Sequence, residues 1–259
     1  MSERIFPALY IEFFGGLSVQ PLQGKAKLDT GPITHFRSRQ AASLLAFLAF
    51  HQGQSFPREE LIELLWPDCD PRAGRNRFSV ALSSLRAQLE TSHQPPIFEA
   101  TRNSLRILPD AINTDITAFN TARDSAAKAL EIGNQGAAKT HFACAVKLYR
   151  GHFLAGNYDD WSTPHRTQLE EFFFQSLHQL IELEQRAGAN ASAIALAERG
   201  VSLDPVREDI ACRLIALYLS TNQLNAARKR GREIERVLHE NFQMTASPKI
   251  SVLLQKVNH

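Results

Sequence analysis

Cysteine is scarce in this sequence, which has three cysteines among 259 residues. Cys69, Cys144 and Cys212 lie far apart, and no two of them have the short spacing of a metal-binding pair or a redox motif. This pattern favours a reducing compartment.

Long hydrophobic runs are also missing. The apolar stretch near the start, "IFPALYIEFFGG", is interrupted by Pro7 and Glu12, and no cleavage-site pattern follows it. We therefore expect neither a signal peptide nor a membrane-spanning helix. Together with the cysteine pattern, this predicts a cytoplasmic protein.

Motifs for enzyme chemistry are absent as well. The sequence has no Gly-rich loop followed by Gly-Lys-Ser/Thr, no recognisable pair of nucleophile and base, and nine scattered histidines. We expect no enzyme activity, no metal and no cofactor. The net charge of +2 is too small to indicate nucleic-acid binding by itself, so the local distribution of charge must decide that question.

The composition that remains is that of an ordinary globular protein, with 44% hydrophobic and 22% charged residues. The length exceeds that of one typical domain, so two domains are expected. Residues 9–36 predict short strands in a small antiparallel sheet, because β-branched and aromatic residues are separated by turn signals at Gly15, Gly16 and Gly24.

Two helices are predicted next. Leucines at helical spacing indicate the first, which begins at Arg39 and ends before Gly53. The second runs from Pro57, which is tolerated as a first helical residue, to Trp66.

A third helix begins after Asp70, a good N-cap residue that is followed by Pro71. Two short strands, Ile97–Ala100 and Leu105–Leu108, then predict a hairpin. We place a domain boundary near residue 111, with one domain over 1–111 and another over 112–259. The apolar stripe of the third helix consists of Phe78, Leu82, Leu85 and Leu89.

The second domain is predicted to be entirely helical, with about seven helices, one of them a longer helix over residues 160–187. A shift of about 34 residues aligns Ala193 with Ala227, which is the tetratricopeptide (TPR) period. The expected fold is an α+β winged helix followed by an all-α TPR-like helical-repeat domain, mainly α overall.

The third helix of a winged helix lies in the major groove of DNA, where its exposed side must offer hydrogen-bond donors. A turn of about 100° per residue gathers such donors opposite the apolar stripe, and no acidic residue of the helix interrupts them. The N-terminal part of the helix is expected to meet base edges, and Ser83 and Arg86 to meet phosphates. The candidate DNA contacts, including the hairpin tip, are Arg72, Arg75, Asn76, Arg77, Ser79, Ser83, Arg86, Arg102 and Asn103.

Several strings in the sequence resemble a known family. Residues 9–108 resemble the OmpR-like winged helix of SARP-type antibiotic regulatory activators, through "FFGGLSV", "RSRQAASLLAFLAF", "FPREELIELLWPD" and "RNRFSVALSSLRAQLE". Residues 112–257 resemble the bacterial transcriptional activator domain that follows it, through "TDITAF", "LYRGHFL", Trp161, "LDPVRED" and "ASPKI". The resemblance implies a bacterial transcription activator that binds tandem half-sites of double-stranded DNA. Its helical domain would contact RNA polymerase holoenzyme or a second protomer, as a homodimer on DNA.

Two other interpretations stay open at this point. A basic helix face is often simply solvated. The helical domain could also act as a scaffold that binds proteins or peptides, with a winged helix that does not bind DNA.

Overall fold

The computed structural model describes residues 7–22, 31–90, 96–157, 159–243, 245, 248–250 and 252–253. Within these ranges the strands are β1 (Leu9–Glu12), β2 (Ser18–Pro21), β3 (Phe56–Pro57), β4 (Phe98–Ala100), β5 (Ser104–Ile107) and β6 (Ile112–Thr114). The helices are α1 (Arg39–Phe50), α2 (Arg58–Leu65), α3 (Pro71–Leu89), α4 (Asp115–Glu131), α5 (Gln135–Leu148), α6 (Ser162–Arg186), α7 (Asn190–Leu203), α8 (Glu208–Ser220) and α9 (Leu224–Phe242). No helix in the described ranges has both the length and the apolar character of a membrane span.

The contacts divide the chain into two compact units. The first holds the described residues up to Thr121 together with Leu148–Leu169. The second holds Ala122–Lys147 together with the described residues from Glu170 onward. Each unit consists of two separate segments of the chain, whereas the sequence predicts a single boundary near residue 111. That boundary stays a prediction.

The first unit contains a sheet with the strand order β2-β1-β6. β1 and β2 form an antiparallel hairpin, and its turn has Gly15 and Gly16 at φ values of 87° and 128°, which favour glycine. β6 runs parallel to β1. The antiparallel pairing expected within residues 9–36 is confirmed for β1 and β2. β6 lies outside that prediction, and it joins the sheet in parallel because the chain crosses over through α1 to α3 before it returns beside β1. The turn predicted at Gly24 lies outside the described residues.

The three predicted helices of the first unit are confirmed. Ser38 caps α1 by accepting a hydrogen bond from the backbone N–H of Ala41 at 3.1 Å. The apolar stripes of α1, α2 and α3 pack against one another. Their fully buried members include Leu44, Leu45, Leu48, Leu61, Phe78 and Leu85.

A second sheet, with the order β3-β5-β4, follows the helices. The predicted hairpin is confirmed as β4 and β5. Pro57, expected to be the first residue of α2, instead lies in β3 with φ −58° and ψ 138°, and pairs with Ser104. Proline has no N–H for a sheet ladder, so it fits this edge strand, and α2 begins one residue later.

Asp115, at the start of α4, connects that helix to β1. Its fully buried carboxylate accepts hydrogen bonds from the backbone N–H groups of Phe13 and Phe14, both at 2.9 Å. Arg150 Nη2 lies 3.8 Å from Asp115 Oδ2. Burial raises the pKa of Asp115 to about 6, although the two hydrogen bonds and the guanidinium act in the opposite direction.

The prediction of an all-helical C-terminal region is confirmed for the helices from Asp115 onward, whereas Ile112–Thr114, which the prediction placed in the same region, form β6. The described part contains six helices, α4 to α9, and further helical residues at 248–250 and 252–253, against an expectation of about seven. The predicted long helix is α6. Ala193 and Ala227, which the 34-residue shift aligns, are both fully buried in α7 and α9. A Cβ atom on Gly200 of α7 would lie 2.8 Å from side-chain atoms of Ile210 and Leu177, so small residues let these helices pack closely.

Candidate nucleic-acid interface

The candidate interface is built on α2 and α3, a helix-turn-helix. Asp70 Oδ1 accepts hydrogen bonds from the backbone N–H groups of Arg72 at 2.9 Å and Ala73 at 3.2 Å. Pro71 occupies the first helical position, where the missing N–H costs no hydrogen bond. These local features begin α3 at the predicted residue.

Gly74 sets the close approach of α2 to α3. A Cβ atom at this position would lie 2.6 Å from Cγ2 of Ile62 in α2, closer than Cβ atoms come to their neighbours in real proteins. The β-branched side chain of Ile62 has little rotational freedom to move away. Sequence reasoning misses this role, because a glycine inside a helix is recognisable only as a poor helix former.

The exposed side of α3 holds most of the predicted DNA contacts. Arg77 points about 100° away from its neighbour Asn76 and widens the exposed face. The apolar stripe on the other side is buried, as predicted. The predicted residues of α3 that are exposed are Arg72, Arg75, Asn76, Arg77, Ser79 and Ser83.

Arg75 and Ser79 make intramolecular contacts that the sequence pattern does not show. Arg75 Nη1 lies 3.5 Å from Glu59 Oε1 of α2, and these side chains are 57% and 69% exposed. An acidic neighbour therefore partly neutralises Arg75. The hydroxyl of Ser79 donates a hydrogen bond to the backbone carbonyl of Arg75 at 2.9 Å, which leaves its oxygen to accept a further bond.

Arg86 differs from the other predicted contacts because it is only partly exposed. Its Nε lies 3.6 Å from Glu90 Oε2 and is a buried atom without a hydrogen-bond partner in the described ranges. Glu90 Oε1 in turn accepts hydrogen bonds from the backbone N–H groups of Ile97 at 2.8 Å and Phe98 at 2.9 Å. Arg86 thus lies at the edge of the polar side, where α3 meets β4, and its contact with phosphate stays a prediction.

The tip of the β4–β5 hairpin presents Arg102 and Asn103, which are both exposed. Thr101 Oγ1 accepts hydrogen bonds from the backbone N–H groups of Asn103 at 3.2 Å and Ser104 at 3.0 Å. The carbonyl oxygen of Asn103 accepts a hydrogen bond of 2.9 Å from the backbone N–H of Arg58, at the start of α2. The tip is therefore an ordered turn that is hydrogen-bonded to the helix-turn-helix.

This surface carries four exposed arginines, Arg72, Arg75, Arg77 and Arg102, although the chain as a whole carries only +2. Arg72, Arg77 and Arg102 have no ion-pair partner in the part of the chain that the structure describes. Glu59 and Glu60, in the first turn of α2, limit the basic surface to α3 and the hairpin tip.

The described ranges contain no group of three His, Cys, Asp or Glu side chains that could hold a metal ion. Cys69, Cys144 and Cys212 are free thiols.

Two family comparisons cover most of the chain. Residues 36–104 match the family described as "Transcriptional regulatory protein, C terminal". Residues 114–258, more than half of the chain, match the "Bacterial transcriptional activator domain". The first match contains the whole helix-turn-helix and most of the hairpin.

Curated relatives include the transcriptional regulatory protein EmbR of Mycobacterium bovis and of Mycobacterium tuberculosis. Each is 24% identical over 242 residues, which are 92% of this chain but 61% of the relative. A solved structure of Mycobacterium tuberculosis EmbR in complex with a low-affinity phosphopeptide superimposes with a TM-score of 0.71 at 21% identity, over 97% of this chain and 65% of that one. This likeness shows a shared fold, and the chain spans less than two thirds of the length of these relatives.

Proposed function

Because this chain belongs to the SARP-type transcription regulators, in which an OmpR-like winged helix precedes a bacterial transcriptional activator domain, we propose that it binds specific duplex DNA and activates transcription. In this proposal α3 enters the major groove and the hairpin tip enters the adjacent minor groove. The helical region contacts RNA polymerase holoenzyme or a second copy of the chain.

The observation that carries this proposal is the exposed polar face of α3. Arg72 and Asn76 have no intramolecular side-chain partner among the described residues, so binding DNA breaks no existing bond of theirs. A guanidinium can donate two hydrogen bonds to guanine, and a carboxamide can pair with adenine. Arg75 must leave Glu59, but an exposed ion pair contributes at most about 1 kcal/mol.

The proposed DNA contacts of α3 are of two kinds, according to their position along the helix. Arg75, Asn76 and Ser79 lie in the N-terminal part, which meets base edges when a recognition helix enters the groove. Ser83 and Arg86 lie further along and contact phosphates, which hold the protein in register without selecting a sequence.

The helical region supplies the contact to a partner in this proposal. In α9 of this region, Arg230 and Arg236 pair with acidic residues of the same helix, and Lys229 and Arg232 are exposed. A homodimer on DNA would place two α3 helices on one side of the duplex, with half-sites about 10–11 base pairs apart or a multiple of that spacing.

Selection of bound duplexes from a random-sequence library, with the full chain, tests the proposal. We expect an enriched motif made of two half-sites with that spacing. The Asn76→Ala variant should lose preference for the motif, whereas Arg236→Ala should keep it. Arg236 is a matched control because it is an exposed arginine, paired with Glu240 at 3.2 Å, on a helix of the second unit. The absence of any enriched sequence would contradict the proposal.

A peptide-binding scaffold is the second candidate function, and one feature favours it. The second unit has a mainly apolar groove of about 680 Å³, formed by the end of α6, by α8 and by Pro248, Lys249, Val252 and Leu253. Among its lining residues are Cys212, Ala216 and Val252. A chain that binds no duplex but retains peptides from a random-peptide library would support this candidate.

A further inference from the structure

Val80 is an apolar side chain on the polar face of α3. It is 59% exposed, whereas the other large apolar residues of this helix are buried. The core therefore does not require it. Valine is also a poorer helix former than alanine, so Val80 does not serve the stability of the helix either.

The residues around Val80 leave room for a surface to come close. Asn76 lies one turn before Val80, and Ser83 and Ala87 lie one and two turns after it on the same stripe. The residues after Val80 on this stripe have short side chains and are exposed. The arginines of the exposed face lie toward the N-terminus of α3, so the middle of the helix can approach the floor of a groove.

The chemistry of Val80 restricts what it can recognise there. Its isopropyl group neither donates nor accepts a hydrogen bond. In the major groove, the apolar group displayed on a base edge is the C5-methyl group of thymine. We propose that Val80 is a specificity-determining residue that packs against the methyl group of one thymine in each half-site, next to the base pair contacted by Asn76. This inference rests on the proposed DNA-binding function.

The test replaces thymine with deoxyuridine, which removes the methyl group and leaves the base pairing unchanged. The duplex is the motif selected with the full chain, and each thymine is replaced singly. Affinity is measured for the wild-type chain and for Val80→Ala. Loss of one buried methyl contact corresponds to about a four-fold weaker affinity. We expect this loss for wild type at one thymine of each half-site. Val80→Ala should bind the unmodified motif several-fold more weakly than wild type does. Its affinity should not fall further when that thymine is replaced by deoxyuridine.

Two controls make the outcome specific. Val80→Thr keeps the shape of valine and one methyl group, so it should retain part of the sensitivity to deoxyuridine. Leu224→Ala changes an exposed aliphatic residue of the second unit and should behave as wild type.

The experiment distinguishes failure of the proposed DNA-binding function from failure of the proposed role of Val80. If no duplex is selected or bound, the proposed DNA-binding function fails and this inference fails with it. If a motif is selected and depends on Asn76, but Val80→Ala responds to each deoxyuridine as wild type does, or the half-site contains no thymine, only the role of Val80 is refuted.

Discussion

Burial of Asp115 couples the stability of the chain to pH. Burial raises its pKa to about 6 from the ordinary value of 3.8, so between these values the folded chain binds a proton more tightly than the unfolded chain does. The resulting stabilisation is complete below about pH 3.8 and is lost as the pH rises through about 6. We expect Asp115→Asn, which cannot ionise, to lack this part of the pH dependence.

Urea unfolding of wild type and Asp115→Asn, at about pH 4.5 and about pH 7.5, measures the effect. The free energy of unfolding of the variant relative to wild type should rise by about 2 kcal/mol between these two pH values. His51 and His165, whose pKa values are lowered by burial, titrate in both proteins and cancel in the comparison. An unchanged difference would show that the carboxyl group has an ordinary pKa in the folded chain.

Replacing Asn76 or Arg86 by alanine is expected to change DNA binding in two different ways. Under the proposed function Asn76 contacts a base, so Asn76→Ala should cost about 1–3 kcal/mol on the specific site and relax discrimination at one base pair. Under the same proposal Arg86 contacts a phosphate, so Arg86→Ala should weaken binding to all duplexes and lower the salt slope by about one. Salt-dependent affinity for the selected motif and for a random duplex separates these outcomes.

Circular dichroism of each variant is the necessary control, because Arg86 lies beside Glu90 at the junction of α3 with β4. Normal discrimination by folded Arg75→Ala, Asn76→Ala and Ser79→Ala variants would contradict the assignment of base contacts. The pattern of α3 predicts which residues share its exposed side. It does not predict the contacts of Arg75 with Glu59 or of Arg86 with Glu90, because these depend on how other segments pack against the helix.

The packing of α2 on α3 makes a prediction for Gly74→Ala. Helix propensity alone would stabilise the variant by about 1 kcal/mol. The added Cβ would lie 2.6 Å from Ile62 Cγ2, and such overpacking costs about 1–3 kcal/mol or more. We expect a net loss of up to about 2 kcal/mol in the free energy of unfolding, measured by urea denaturation.

A double-mutant cycle identifies the cause of this loss. Ile62→Ala removes the atom that the new Cβ would meet, so Gly74→Ala should cost less in that background than in wild type. A stabilised Gly74→Ala variant would mean that α2 shifts away at little cost.

Elements with local signals are predictable from the sequence, and those formed by distant pairing are not. Asp70 and Pro71 predict the start of α3. The hairpin of β4 and β5 is also predictable, because only a short turn separates its strands. β3 and β6 have two and three residues, too few for a periodic pattern, and each pairs with a strand far away in the sequence. Pro57 illustrates the difficulty, since a proline fits both a first helical turn and an edge strand.

At the scale of the whole molecule, the first unit predicts the behaviour of a fragment that ends at residue 111. Such a fragment lacks β6, the carboxylate of Asp115 and the ring of Phe153, which stacks on Phe13 with 5.6 Å between ring centroids. It also lacks Tyr149, whose ring lies 4.8 Å from that of Phe14. We expect the fragment to be much less stable than the full chain.

Circular dichroism and urea unfolding of the fragment and the full chain measure this difference. A fragment that also includes residues 112–169 contains every segment of the first unit and is the matched comparison, expected to be the more stable of the two. Cooperative unfolding of the shorter fragment at the stability of the full chain would instead support an independent domain that ends near residue 111.

The inclusion of Leu148–Leu169 in the first unit has a consequence for synthesis on the ribosome. Phe153, whose ring stacks on that of Phe13, is made about 140 residues after it. At about 5–20 residues per second, this delay is roughly 7–30 s. Throughout that interval the nascent "FFGG" segment lacks Phe153 and Tyr149, two of the aromatic side chains that bury it in the finished chain.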